Sequence, residues 1–153
     1  KKRNEIPEEY KWKLNKIFSS DENWEEELQN LKKESVKLKA FKGKLSDKEE
    51  ILKYLACNEE LSRKAEKLYV YAHMKSDEDT TNTKYQAMMS KIDSYMSEFS
   101  SYGAFFVPEL LSLKDGFIEG LIEDDYRFKA YDFLLKDILK NLWRINTKIT
   151  NFR

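Results

Sequence analysis

Hydrophobic positions recur at steps of three and four along most of this chain, the spacing of one helical face. The pattern is cleanest where Tyr85, Met88, Met89, Ile92, Tyr95, Met96, Phe99, Tyr102 and Phe106 fall on one side. Lys84, Gln86, Ser90, Lys91, Asp93, Ser94, Ser97 and Glu98 form a solvated back. This predicts an amphipathic helix from Tyr85 to Phe106, interrupted at Val107-Pro108. Just upstream, Leu68, Tyr69, Val70, Tyr71, Ala72 and Met74 project all round a helix, which predicts a turn buried on most sides.

An earlier helix is expected from Ser19 to Ala40. Ser19, Ser20 and Asp21 offer N-caps, and Ser19-x-x-Glu22 fits a capping box. Trp24, Leu28, Leu31, Ser35 and Leu38 make its buried stripe. Asp21, Glu22, Glu25, Glu26 and Glu27 crowd its start and Lys32, Lys33, Lys37 and Lys39 its end, matching the helix dipole. Gly43, within Phe41–Leu45, is the expected left-handed stop. Ser46-x-x-Glu49 reads as a second capping box. The apolar set then drifts from Ile51, Leu52 and Leu55 to Leu61, Ala65, Leu68 and Ala72. One long helix from Asp47 to Lys75 is favoured over two broken near Cys57-Asn58.

Asp79, Thr80 and Thr81 are cap formers for the helix that follows. Pro108 suits the first position of a short helix, PELLSL. A short helix follows from Phe117 to Glu123. A longer one carries Phe128, Tyr131, Leu135, Ile138, Leu139 and Leu142 on one face. The remaining tail, with Arg144, Lys148 and Arg153, shows no helical stripe.

The expected fold is therefore all-α, an antiparallel helical bundle or array of about five or six helices with an irregular N-terminal arm. Residues 1–18 form that arm, 19–142 the helical domain and 143–153 a C-terminal tail. The Leu61–Met74 and Tyr85–Phe106 segments should pack together. In the arm, Pro7 biases Ile6 toward an extended conformation. Tyr10, Trp12, Leu14, Ile17 and Phe18 are its apolar anchors, the alternative being a partly ordered tail.

Composition narrows the picture. The 153 residues include 4 glycines and 2 prolines, too few for a turn-rich β fold. The 28 basic and 28 acidic residues cancel, giving no electrostatic pull toward nucleic acid or an anionic membrane. Cys57 is the single cysteine, so no intrachain disulfide forms. With no long apolar run and no signal-peptide core, a cytoplasmic location is expected.

Candidate chemistry is sparse. His73 and Asp77 lie one helical turn apart with Asp79 nearby, but one imidazole and two carboxylates make an incomplete zinc site. Calcium would need more oxygen ligands. The glutamate run reads as a dipole-matched face and Cys57 as a structural thiol. Met88, Met89 and Met96 could line an adaptable groove, but core packing accounts for them more simply. No catalytic, cofactor-binding or metal-binding residue is assigned.

The run YVYAHMKSDEDTTNTKYQ, Tyr69 to Gln86, resembles the N-terminal region of the oligoendopeptidase F family of zinc metallopeptidases. An aromatic-rich helix, an acidic turn (Asp77, Glu78, Asp79, Thr80, Thr81, Asn82) and a Tyr85-Gln86 helix start recur together there. The similarity extends back through IPEEYKWKL and FKGKL and forward through AFFVPELLSL, about Ile6 to Leu139. It departs at NLWRINTKITNFR, where the family continues with basic residues and a Pro-His-Thr-Leu-Ser-like linker. The resemblance implies a parent enzyme that cleaves short peptides in a closed helical chamber, with this segment as non-catalytic wall and lid. Zinc is implied for that whole enzyme. Its H-E-x-x-H motif, two zinc-binding histidines around a general base, is absent here. The chain alone should be inactive, its partner being the missing C-terminal catalytic domain or a second copy. The alternatives are a stand-alone helical interaction or scaffold module, and a small metal-binding protein centred on the Asp77 turn.

Overall fold

A computed structural model describes Pro7 and residues 12–150, with side chains as far as Asn141. Expectations for Ile6, Tyr10, Arg153 and the side chains of Leu142, Arg144 and Lys148 lie outside the described residues. The helices are α1 (Asp21–Ser35), α2 (Lys48–Glu78), α3 (Thr83–Tyr102), α4 (Phe106–Leu111), α5 (Phe117–Asp124) and α6 (Asp132–Thr150). Short 3-10 turns cover Leu14–Lys16, Val36–Phe41 and Tyr126–Tyr131. No strand occurs among the described residues, and the fold is the all-α helical array expected.

The chain divides into two compact units, one of residues 1–37 and 57–102, the other of 38–56 and 103–153. Helix α2 is continuous, as favoured, and serves both: its turns through Ala56 belong to the second unit and the rest to the first.

In the first unit the cap of α1 is Ser20, whose hydroxyl accepts from the Asn23 N–H at 3.1 Å. Ser19 is not the cap. The register is set by Trp24, which is fully buried and donates its indole N–H to the Leu68 carbonyl at 2.9 Å. Helix α1 also stops at Ser35 rather than Ala40. There the Ser35 hydroxyl donates back to the Leu31 carbonyl at 2.6 Å, a bond that bends helices, and the chain tightens into its 3-10 turn. The predicted stripe of Trp24, Leu28, Leu31, Ser35 and Leu38 is buried throughout.

Three sets of contacts fix the helix directions. Trp24 meets Leu68 and Glu34 meets Lys64, so α1 and the second part of α2 run antiparallel. Lys75 lies over the Tyr85 ring and His73 faces Asp93, so α3 runs antiparallel to α2. Glu25 meets Lys91 and Ser35 meets Tyr95, so α1 and α3 are parallel. Leu14 and Phe18 of the arm are buried, with Phe18 edge-on to Tyr71 at 5.3 Å. Trp12 is half-exposed and does not anchor.

Burial around Leu68–Met74 is narrower than expected. Leu68, Tyr71 and Ala72 are buried, but Tyr69 and Val70 face outward. Apolar identity all round a helix predicts burial only if a neighbour covers each side, and none covers that one among the described residues.

In the second unit α2 is capped by Asp47, which accepts from the Glu49 N–H at 2.8 Å, and not by Ser46. Gly43 adopts φ 81, the left-handed geometry expected of the stop before it. The Glu109 carboxylate of α4 holds this loop, accepting from the Gly43 N–H at 2.8 Å and the Leu45 N–H at 3.0 Å. Tyr54 stacks on Phe106 at 4.3 Å and packs edge-on to Phe41 and Phe105. Pro108 occupies the third position of α4 rather than its first. Either site lies where helical N–H groups lack internal partners, so proline costs no bond. Phe128, Leu135 and Ile138 join the core as expected. Helix α6 continues to Thr150, beyond the expected end, and the sequence does carry the stripe for it: Leu135, Ile138, Leu142, Ile145 and Ile149 recur at steps of three and four.

Candidate functional site

The densest polar constellation centres on Asp21, the first residue of α1. Its Oδ1 accepts from the Tyr71 hydroxyl at 2.8 Å and the Lys75 ammonium at 3.1 Å, and its Oδ2 from Lys84 at 2.8 Å. Lys75 also sits 5.4 Å above the Tyr71 ring and 5.2 Å from that of Tyr85. Lys13, Lys16, Asp21, Tyr71, Lys75 and Lys84 line part of a concavity of about 690 Å³.

Burial pushes the Asp21 carboxyl up, but the bonds from Lys84, Tyr71 and Lys75 outweigh it and hold the group below its ordinary range. The N-terminal end of α1 favours the same charged form. Burial, then the Asp21 bond, pushes the Tyr71 phenol far above its usual value. Both Asp21 oxygens are engaged and the phenol stays protonated. The cluster pins the arm end, α1, α2 and α3 together and offers no nucleophile or free base. No local sequence signal joins Asp21, Tyr71, Lys75 and Lys84, and only the antiparallel folding of α2 between α1 and α3 brings them together.

The candidates weighed from sequence do not converge. His73 stacks on Tyr69 with centroids 3.9 Å apart, and its Nε2 lies 3.7 Å from Asp93 Oδ1. Asp77 is exposed near the end of α2. Asp79 accepts from the Thr81 N–H at 3.1 Å and its hydroxyl at 2.7 Å, closing an Asx turn. The cap of α3 is instead Asn82, accepting from the Lys84 N–H at 3.0 Å. Glu25 is taken up by Lys91 at 2.7 Å and Gln29 at 3.1 Å. Burial pushes the Cys57 thiol up, away from the thiolate a nucleophile needs. Among the described residues no group of three or more His, Cys, Asp or Glu could hold a metal ion. With 1 histidine in the sequence, the residues present cannot supply the two histidines of an H-E-x-x-H zinc site.

No protein-family model matches the chain. Individual relatives do. It is 42% identical over 139 residues to the chromosomal oligoendopeptidase F of Lactococcus lactis subsp. cremoris, a match covering 89% of this chain and 23% of that protein. It is 36% identical over 140 residues to the group B oligopeptidase PepB of Streptococcus agalactiae, covering 91% of this chain and 23% of the relative. With the oligopeptidase PepF of Bacillus subtilis it shares 34% over 139 residues, covering 90% and 21%. The crystal structure of oligoendopeptidase-F from Enterococcus faecium superposes with a TM-score of 0.69 at 31% identity, over 80% of this chain and 24% of that one. A Chlamydophila abortus crystal structure gives 0.80 at 26% identity, over 92% and 24%.

Sequence and fold thus agree on a helical segment of the oligopeptidase class. Over about nine-tenths of its length the chain matches the N-terminal region of oligoendopeptidase F-type proteins, and it spans less than a quarter of the length of the curated relatives it matches. No helix among the described residues is long and apolar enough to cross a membrane.

Proposed function

We propose that the chain is a non-catalytic wall and lid segment of an oligoendopeptidase F-type zinc metallopeptidase acting on short peptides. The observation that carries this is the 42% identity over 139 residues confined to 23% of the Lactococcus relative. The absence of paired histidines agrees with it: zinc and the general base belong to the remainder of the parent chain. This segment contributes helical walls whose charged faces are self-neutralised, as at Asp21, and restricts entry sterically. The parent is a cytoplasmic enzyme on this reading, and the partner of the segment is the catalytic remainder. A chain produced without that remainder self-associates instead.

A chimera tests the proposal. Residues 1–153 replace the matching quarter of the Lactococcus oligoendopeptidase F, and the product is assayed on a short quenched fluorescent peptide and on a folded protein. Cleavage of the peptide alone, sensitive to a zinc chelator, is the expected result. A chimera that does not fold, or folds without activity beside an active parent, overturns the proposal.

A further inference from the structure

Three large apolar side chains of the second unit stand in solvent: Tyr126 is 86% exposed, Phe133 83% and Leu134 41%. They occupy the Tyr126–Tyr131 turn and the start of α6. The same stretch also supplies the core, since Phe128, Leu135 and Ile138 are buried. A helix apolar on both sides is ordinarily covered on both. Single exposed leucines are normal on a protein surface, but two bare aromatic rings and a leucine so close in sequence are not.

Arg127 and Lys136, two of the cations near this face, are already paired: Arg127 grips both oxygens of Asp125 and both of Glu49, and Lys136 meets Asp132 at 2.8 Å. The large exposed side chains between them are apolar, so recognition here rests chiefly on apolar contact. The matched relatives supply an occupant, because the match covers only 23%, 21% and 23% of their lengths. A segment tethered in the same polypeptide is present at millimolar effective concentration and outcompetes a second copy.

We infer that Tyr126, Phe133 and Leu134 form the surface on which the catalytic remainder of an oligoendopeptidase F-type chain docks, through an apolar patch of that remainder. This rests on the family role proposed above.

The test compares maleimide–polyethylene glycol labelling of Phe133→Cys, in a Cys57→Ser background, in the isolated chain at dilute monomeric concentration and in the chimera. Tyr126→Cys serves as the second probe. Labelling in the chimera should be slower by at least about tenfold, since a covered thiol reacts only through opening. The paired substitution Tyr126→Ser with Phe133→Ser should leave the melting temperature of the isolated chain unchanged and lower that of the chimera. An active chimera in which both cysteines label as fast as in the isolated chain overturns the docking surface while leaving the family role intact. A chimera that fails to fold even without these substitutions overturns the role and the surface together. Protection already present in the isolated chain, with a dimeric mass by light scattering, assigns the face to a second copy and also overturns the inference.

Discussion

The hydroxyls of Ser35 and Tyr95 lie 2.5 Å apart in the buried seam between α1 and α3. The direction of that bond follows from what else Ser35 does. Its single proton goes to the Leu31 carbonyl at 2.6 Å, so Tyr95 is the donor and Ser35 the acceptor.

The two substitutions should therefore differ. Tyr95→Phe leaves Ser35 with its Leu31 bond and should cost about 1 kcal/mol. Ser35→Ala leaves a buried phenolic O–H without its acceptor and should cost more, about 1–3 kcal/mol. Urea unfolding of both variants reads the order directly. A larger loss for Tyr95→Phe would show that the donor assignment is wrong.

Gly103 follows α3 and approaches Tyr54 closely. A Cβ added there would lie 2.6 Å from the Tyr54 hydroxyl oxygen, and Tyr54 is held by stacking on Phe106. Gly103→Ala should destabilise the chain by about 1–3 kcal/mol through overpacking. Adding Tyr54→Phe removes the clashing oxygen, so the double variant should lose less than the sum of the singles. Additive losses in thermal melts would place the cost in the backbone instead.

Asp21 predicts a pH dependence. Despite the upward push of burial, its lysine and tyrosine partners hold its folded carboxyl below the usual range. Its contribution is then fully present above the unfolded carboxylate value, near about pH 4, and is lost as pH falls through the lower folded value. Asp21→Asn should lower stability by about 1–2 kcal/mol at pH 7. The gap from wild type should close as the solution is acidified below about pH 4. A gap that persists unchanged to pH 2 would show that packing, and not charge, makes the difference.

The helices were legible in the sequence because their stripes are periodic, and the Trp24-to-Leu38 stripe and the unbroken α2 show this best. Caps were legible only to within a residue or a few. Ser19 and Ser20, Ser46 and Asp47, and the Asp79–Asn82 cluster each offer rival oxygens, and tertiary anchors such as Trp24 choose among them. Tyr69 and Val70 misled because hydrophobicity reports a residue's preference and not whether a neighbour is there to cover it. The Asp21 cluster was invisible. Its members are joined only by the antiparallel folding of α2 between α1 and α3, and each reads locally as an ordinary surface charge or core aromatic.

The isolated chain should hydrolyse no peptide, with or without added zinc. Metal-assisted hydrolysis of the H-E-x-x-H type needs a polarising ion, held by two histidines one turn apart, and a carboxylate to activate water. The sequence holds 1 histidine, and its ring is stacked on Tyr69 with Nε2 directed toward Asp93. Cys57 is no substitute, because burial keeps its thiol protonated. Highly purified chain incubated with a quenched fluorescent peptide, in the presence of zinc and then of a chelator, checks this. His73→Ala serves as the control, and its trace should be indistinguishable from that of the parent chain. Cleavage that a chelator abolishes, and that disappears with His73→Ala, would mean that His73 holds a catalytic metal after all.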